Sequence, residues 1–132
     1  MSNSSITPFV YNAVLDRVID GDTLDCILDL GFDVKLHKQR IRLAGIDTPE
    51  SRTRNLEEKA LGLKAKDRLI ELCVGSFKVQ SLGKGKYGRI LGIPYTEDGE
   101  SICQILIDEG HAVEYWGGTK TAKVKEDGTW GE

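Results

Sequence analysis

Four short segments of the chain concentrate side chains that can bind a cation or a phosphate group. Residues 20–23 (Asp-Gly-Asp-Thr) place two carboxylates around a glycine, and carboxylate oxygens suit hard cations such as Ca²⁺ or Mg²⁺. Residues 42–50 (Arg-Leu-Ala-Gly-Ile-Asp-Thr-Pro-Glu) combine an arginine with two carboxylates. Residues 84–89 (Lys-Gly-Lys-Tyr-Gly-Arg) carry three cations and a tyrosine, and residues 111–116 end in an adjacent tyrosine and tryptophan.

Two familiar binding motifs are excluded. A calcium loop of the EF-hand type starting at Asp20 would need glycine at its sixth position and glutamate at its twelfth, where this chain has Asp25 and Gly31. Residues 83–88 match the glycine pattern of dinucleotide-binding loops, but they lead into a strand-like run rather than a helix. The four segments must therefore be interpreted together.

The distribution of charge is more informative than its total. The chain has 132 residues and a formal net charge of −3. Residues 51–93 carry ten Lys or Arg and four Asp or Glu, which gives +6, whereas the flanking regions carry −3 and −6. A basic centre in an acidic chain is typical of a protein that binds anions, although a solvated helix face would have the same composition.

The predicted elements form a barrel with two helices. Alternating apolar residues predict strands over residues 9–19 and 23–29, one or two strands over 34–46, and strands over 77–82 and 89–95. An amphipathic helix begins after Asn55 and ends before Gly75, and a short helix covers residues 102–109. This order predicts a mainly β, α+β fold: a five-stranded oligonucleotide-binding (OB-fold) barrel with an inserted helix and a short C-terminal helix.

The length predicts a single domain over residues 1–132, with a core at about 9–116 and a loose tail at 117–132. The three cysteines (Cys26, Cys73 and Cys103) are odd in number and widely spaced, which predicts reduced core residues rather than disulfides or a thiolate zinc site. No apolar run is long enough to cross a membrane, and the first residues do not resemble a secretory signal. The expected location is cytoplasmic, and no protein partner can be inferred.

Taken together, the segments resemble the staphylococcal nuclease (thermonuclease) family over roughly residues 10–116. The matching runs are Ile19-Asp20-Gly21-Asp22-Thr23, Arg42-Leu43 with Ile46-Asp47-Thr48-Pro49-Glu50, and Lys86-Tyr87-Gly88-Arg89. A weaker match covers residues 106–110. The spacing from the arginine to Asp-Thr-Pro-Glu is the strongest single element.

The resemblance implies a calcium site and a set of catalytic residues. Asp22 and Asp47 would bind Ca²⁺ through their carboxylates, Thr48 would add its backbone carbonyl, and Asp20 would lie nearby. The expected catalytic residues are two arginines that hold the scissile phosphate and a carboxylate that activates or positions the attacking water: Arg42, Arg89 and Glu50.

The resemblance also implies contacts with the substrate outside the reacting phosphate. Lys86 and Tyr87 match residues that contact substrate phosphate. In the family a tyrosine after the last helix packs against a base; alignment on Gly110 places Trp116 there rather than Tyr115, so both remain candidates. Either aromatic ring could stack on a base.

The expected function is a calcium-dependent endonuclease that cleaves phosphodiester bonds in DNA, with RNA as a further candidate substrate. The alternative is a non-catalytic OB-fold module that binds nucleic acid. The complete set of acidic and arginine residues favours the enzyme, because a binding module has no need of a water-activating acid beside a phosphate.

Overall fold

A closed barrel of five strands forms the centre of the computed structural model, which describes residues 8–85 and 88–132. Its strands occur in the order β1-β2-β3-β6-β5, and β5 pairs with β1 to close the barrel. All neighbouring strands are antiparallel except β3 and β6, which are parallel. The predicted OB-fold barrel is confirmed. Its strands are β1 (Val10–Asp20), β2 (Thr23–Asp29), β3 (Lys35–Leu43), β5 (Ser76–Lys84) and β6 (Ile90–Tyr95).

Both predicted helices are present. Helix α1 (Leu56–Leu72) begins where the Asn55 side chain accepts hydrogen bonds from two backbone N–H groups of the first turn, each at 3.1 Å. This cap satisfies donors that have no partner within the helix. Helix α2 (Ile102–Asp108) begins at Ser101, whose hydroxyl oxygen accepts from the backbone N–H of Gln104.

The core fills the barrel and joins it to both helices. Fully buried barrel side chains such as Leu24, Ile41 and Phe77 belong to the same apolar cluster as Leu69 of α1 and Leu106 of α2. The three cysteines are also part of this cluster, all buried and free. Burial raises the pKa of each thiol to about 12, because the thiolate would lose its hydration.

The last residues differ from the loose tail that their composition predicts. Strand β8 (Lys123–Val124) pairs with β9 (Trp130–Gly131) in a small hairpin. The turn is closed by the hydrogen bond from the backbone N–H of Lys125 to the Thr129 carbonyl oxygen (2.8 Å), and Gly128 adopts the positive φ of 84° that such a turn requires. The Asp127-Gly128 pair is favourable in such a turn. Val124 lies opposite Trp130 in the hairpin, and both are partly buried.

A second short pairing lies beside the barrel. Strand β4 (Ile46–Asp47) is antiparallel to β7 (Val113–Glu114), so that Asp47 lies opposite Val113. This pairing fixes the segment between β3 and α1 against the chain that follows α2. No helix in residues 8–85 and 88–132 is long and apolar enough to cross a membrane.

Candidate active site

One cavity collects most of the polar residues identified in the sequence, and we call it the acidic pocket. It is open to solvent at the end of the barrel where β1 turns into β2 and where β3 leads into β4. Of the predicted metal-binding and catalytic residues, the pocket is lined by Asp22, Arg42, Asp47, Thr48, Glu50 and Arg89, and Asp20 lies beside them.

Strand register brings the two arginines to this end of the barrel. Arg42 lies on β3 opposite Thr23 of β2, and the next residue, Leu43, donates its backbone N–H to the Asp22 carbonyl oxygen at 2.8 Å. On its other side β3 runs parallel to β6, with Arg42 opposite Leu91. Since Arg89 immediately precedes β6, the parallel pairing places both arginines along the same cavity.

Two glycines allow α1 to approach the pocket closely. A Cβ atom at Gly21 would lie 2.7 Å from the Cβ of Ala65 in α1 and 3.1 Å from the Thr48 hydroxyl oxygen. A Cβ atom at Gly62 would lie 2.4 Å from the carbonyl oxygen of Glu50. Real Cβ atoms do not approach backbone that closely, so the helix can pack directly on both site loops because these residues are glycines.

Hydrogen bonds fix the loop that carries Thr48 and Glu50. Ser51 donates both its backbone N–H, at 3.3 Å, and its hydroxyl to Oδ1 of Asp20. The backbone N–H of Glu50 donates to Oε2 of Glu58 on α1 at 3.0 Å. Asp20 and Glu58 therefore position the loop, while the Glu50 residue itself remains exposed to solvent.

The two candidate metal-binding carboxylates are nearly buried. Asp22 is 9% exposed and Asp47 is 5% exposed. The Asp22 carboxylate accepts from the Thr23 hydroxyl at 3.1 Å and from the Thr48 backbone N–H at 3.4 Å. Burial raises the pKa of the Asp47 carboxyl; the positive charge of Lys120 opposes this shift and the negative charge of Asp22 adds to it. A cation between these carboxylates would offset their repulsion.

Arg42 is held in place by several acceptors. Its Nη1 donates to the Leu43 carbonyl oxygen at 2.6 Å, and its Nη2 donates to the Ile46 carbonyl oxygen at 2.9 Å. Nη2 also lies 3.5 Å from Oδ2 of Asp22, and the side chain is 17% exposed. The guanidinium group is thus oriented before any ligand arrives, which is the condition for effective electrostatic stabilisation.

The donors in the acidic pocket suit a hard divalent cation. Within the described ranges there is no cluster of three or more His, Cys, Asp or Glu side chains that could form a closed all-protein metal site. The Thr48 hydroxyl oxygen is buried and has no hydrogen-bond partner among the described residues. Two carboxylates plus such oxygens fit a cation that retains several waters, and they do not fit a structural zinc site of cysteines and histidines.

The C-terminal hairpin and the segment just before it contribute side chains that sequence reasoning missed. The indole Nε1 of Trp130 donates to the Asp47 carbonyl oxygen at 3.0 Å, and Nζ of Lys120 lies 3.5 Å from Oδ1 of Asp47. Both residues line the acidic pocket. The Asp127-Gly128 turn between Val124 and Trp130 is the signal that could have revealed the hairpin.

A second depression, more apolar, adjoins the acidic pocket and shares both arginines with it. Tyr115 and Trp116 both line this aromatic pocket, together with Arg42, Arg89 and Gly45. Trp116 is 68% exposed, and its ring packs against Gly45, where a Cβ atom would lie 2.4 Å from the nearest ring atom. The two aromatic residues therefore share a pocket with the arginines, and the carboxylates of the acidic pocket do not line it. The predicted substrate contacts Lys86 and Tyr87 lie outside the described residues.

Comparison with known proteins identifies the family. Residues 40–128 match the sequence model of the family described as "Staphylococcal nuclease homologue". The chain belongs to the staphylococcal nuclease family. The match begins just before Arg42 and ends inside the C-terminal hairpin, so it includes Asp47, Thr48, Glu50, Arg89 and the Lys120 segment. The resemblance found from short motifs is thereby confirmed.

Three relatives carry related names. The chain is 40% identical to "Endonuclease YncB" of Bacillus subtilis (strain 168) over 108 residues, which are 78% of this chain and 47% of that protein. It is 34% identical to "Endonuclease YhcR" of the same organism over 115 residues, 80% of this chain and 9% of that protein. It is 34% identical to an "Uncharacterized endonuclease" of Escherichia coli over 100 residues, 75% of this chain and 58% of that protein. This staphylococcal nuclease homologue thus spans between about a tenth and three-fifths of the length of these relatives.

Proposed function

We propose that the chain is an endonuclease that hydrolyses phosphodiester bonds with the help of Ca²⁺. The observation that supports this most directly is the acidic pocket itself, where a nearly buried carboxylate pair, an exposed glutamate and two arginines share one cavity. The family membership and the endonuclease names of the relatives agree with this proposal.

Asp22 and Asp47 would hold the cation, with Thr48 adding an oxygen donor. Ca²⁺ accepts six to eight oxygen ligands, some of them water, so two carboxylates and a carbonyl are a sufficient protein contribution. When bound, the cation would supply positive charge next to a phosphoryl oxygen. Both carboxylates are almost inaccessible to solvent, which would strengthen their attraction for a cation.

Glu50 would orient the attacking water and accept its proton. It is exposed at the rim of the pocket, where a water molecule can reach it, and its backbone is fixed by the hydrogen bond to Glu58. The water oxygen would form a bond to phosphorus while the bond from phosphorus to the 5′-oxygen breaks. The departing 5′-oxygen would take a proton from solvent water, which leaves a 3′-phosphate and a 5′-hydroxyl. A positioned general base of this kind typically contributes about 10²–10⁴-fold to the rate.

Arg42 and Arg89 would bind the phosphate and stabilise the charge that develops on it. A guanidinium group stays protonated at any working pH and can donate two parallel N–H bonds to phosphate oxygens. Arg42 is already oriented by the Leu43 and Ile46 carbonyl groups. A nucleobase next to the reacting phosphate would occupy the aromatic pocket, where Tyr115 or Trp116 could stack on it.

The experiment is a cleavage assay with defined substrates and metals. The protein is incubated with single-stranded and double-stranded DNA and with RNA, in Ca²⁺, in Mg²⁺ or in a chelator, and the product ends are analysed. We expect cleavage in Ca²⁺, none in chelator, and 3′-phosphate ends. Glu50→Gln serves as the inactive variant, with Glu57→Gln in the exposed first turn of α1 as the matched control.

The outcomes separate the two functions considered from the sequence. Binding of oligonucleotides without cleavage in every metal would favour the non-catalytic module. Cleavage in chelator equal to that in Ca²⁺ would refute the role assigned to Asp22 and Asp47.

A further inference from the structure

A second groove, which we call the basic groove, runs along the outer face of the barrel next to the acidic pocket. It is lined by Asp16, Arg17, Asp25, Lys38, Arg40 and Arg89. Four of these side chains are cationic and two are carboxylates, so the groove has a positive formal charge. Arg89 lines the basic groove, the acidic pocket and the aromatic pocket, and it therefore marks the point where all three meet.

Asp25 holds the two central arginines in fixed orientations. Its Oδ1 accepts from Nε of Arg40 at 2.8 Å, and its Oδ2 accepts from Nη2 of Arg40 at 3.0 Å and from Nε of Arg17 at 3.1 Å. The Arg40 hydrogen bonds hold the pKa of the Asp25 carboxyl below its ordinary value, so the carboxylate stays charged. The bond from Arg17 uses its Nε, and those from Arg40 use one edge of the guanidinium. The remaining N–H groups of both side chains do not point at Asp25.

Strand pairing places Arg17, Asp25 and Arg40 next to the proposed catalytic residue Arg42. Arg17 of β1 lies opposite Asp25 of β2, and Asp25 lies opposite Arg40 of β3. Arg40 and Arg42 are two residues apart on the same strand, so they share a face of the sheet and lie roughly 7 Å apart along it. The side chains of Arg17 and Arg40 are 64% and 43% exposed. A row of guanidinium groups thus continues from the acidic pocket onto the outer barrel surface.

We propose that the basic groove binds the phosphodiester backbone of the strand that flanks the scissile linkage, with Arg17 and Arg40 contacting a phosphate that is not cleaved. This inference rests on the proposed nuclease function and extends it. A polymer of regularly spaced phosphates fits better than a free anion, because the groove and the acidic pocket are joined through Arg89. Asp25 lowers the net charge of the groove, but it fixes the two guanidinium forks that would otherwise move freely.

The test measures binding apart from cleavage. In a Glu50→Gln background, the affinity for a fluorescent single-stranded oligonucleotide is measured by anisotropy over a series of salt concentrations. We expect the double variant Arg17→Gln, Arg40→Gln to bind about tenfold more weakly. The slope of log K against log salt should fall by about 0.7, the value expected for the loss of one phosphate contact on a single strand.

The matched control is Arg68→Gln. Like Arg40, Arg68 donates two hydrogen bonds to one carboxylate: its Nε and Nη2 donate to Glu109 at 2.6 and 2.8 Å. It lies on α1, however, and does not line the basic groove. It should leave both affinity and salt slope at the parent values. If the double variant does not fold, the single variant Arg17→Gln replaces it, since Arg17 makes one bond to Asp25 and is largely exposed.

A second measurement separates this inference from the proposed function. In the protein that retains Glu50, kcat/KM is measured for a long oligonucleotide and for a minimal substrate with one phosphodiester bond. The double variant is made in this same background. The ratio of kcat/KM for the long substrate to that for the minimal substrate should fall about tenfold in the double variant. Suppose that the parent cleaves both substrates, and that the folded double variant has the same kcat/KM ratio and the same salt slope as Arg68→Gln. The basic groove is then not a binding site for the phosphodiester backbone. If the parent cleaves neither substrate in any metal, the nuclease proposal fails, and the salt slope alone decides the groove.

Discussion

Lys120 places its Nζ 3.5 Å from Oδ1 of Asp47, so a cationic side chain of the protein already lies beside a proposed metal ligand. The lysine side chain is 57% exposed, whereas the Asp47 side chain is only 7% exposed. Nζ also lies 5.7 Å from the centre of the Tyr115 ring, which can stabilise a cation through its π-face. Lys120 therefore supplies positive charge beside Asp47, and a divalent cation bound by Asp47 would repel it.

Replacing this lysine should strengthen calcium binding. In Lys120→Gln the bound cation no longer faces a nearby ammonium group, so we expect the Kd for Ca²⁺, measured by calorimetry without nucleic acid, to fall up to about fivefold, the range of a partly exposed ion pair. Lys123→Gln, an exposed lysine three residues further along the chain, should leave the Kd unchanged. An unchanged or higher Kd in Lys120→Gln would show that this lysine does not oppose the metal.

Arg89 should be among the most sensitive positions for activity. Arg89 lines all three depressions, so Arg89→Gln removes the guanidinium group that we propose contacts the reacting phosphate. We expect kcat to fall about 10²–10³-fold, as for the loss of a single electrostatic donor in other enzymes, with the unfolding midpoint almost unchanged. Near-parent cleavage by a folded Arg89→Gln protein would remove this residue from the proposed mechanism, and Arg68→Gln is again the matched control.

Gly62→Ala should destabilise the protein although alanine is the better helix former. At an ordinary helix position this change stabilises by up to about 1 kcal/mol. Here the added Cβ would lie 2.4 Å from the Glu50 carbonyl oxygen. We expect the free energy of unfolding to fall by about 1–3 kcal/mol, the range for overpacking, and activity to fall with it because the Glu50 loop is displaced. Lys64→Ala, on the exposed side of α1, controls for helix propensity; a more stable Gly62→Ala protein would contradict the close packing.

The thiols of the native protein should be inert near neutral pH. Burial raises the pKa of Cys26, Cys73 and Cys103 to about 12, so very little thiolate is present at pH 8. We expect no fast reaction of the native protein with a disulfide reagent, and three equivalents of thiol after unfolding in guanidinium. Fast labelling of any cysteine in the folded state would show that the core opens more readily than the packing indicates.

Asp25 should stabilise the fold in a way that depends on pH. Its pKa is lowered in the folded state from an ordinary value of 3.8, mainly by its hydrogen bonds to Arg40. Its contribution is therefore fully present above that value and is lost as the pH falls through the lower folded pKa. Asp25→Asn should lower the free energy of unfolding by about 1–3 kcal/mol at pH 7, because one of the two accepting oxygens becomes an NH2 group and the negative charge between the two arginines is lost. The difference from the parent should shrink below pH 3.8. A difference that stays constant into strong acid would contradict this assignment.

The barrel could be predicted because each strand carries its own signal. The alternation along β1 and β2, the Asn55 cap and the spacing of Ala65 and Leu69 are local patterns, and local patterns are readable from sequence. The acidic pocket could be predicted because the family motifs concentrate its residues in three short runs. The contacts between the acidic pocket and more distant parts of the chain could not be predicted from such local patterns.

The residues that escaped prediction act over long distances in the sequence. Trp130 reaches Asp47 from a hairpin whose two-residue strands are too short to show a period. Lys120 reaches it from the irregular segment before that hairpin. The basic groove depends on Arg17, Asp25 and Arg40 being aligned by strand register, which sequence spacing alone does not specify. Glu58 of α1 accepts a hydrogen bond from the backbone N–H of Glu50, and no local sequence pattern specifies this contact between a helix and a separate loop.

The parallel pairing of β3 with β6 also has a consequence for the order of events during folding. It joins Ile41 to Ile90 across 49 positions of the chain, and Arg42 and Arg89 come together through it. Contacts so distant in sequence form late, because a long loop must be closed before they are gained. If the proposed cleavage needs both arginines, we expect a newly made chain to leave nucleic acid intact until its barrel closes, and the return of cleavage after dilution from denaturant would time that closure.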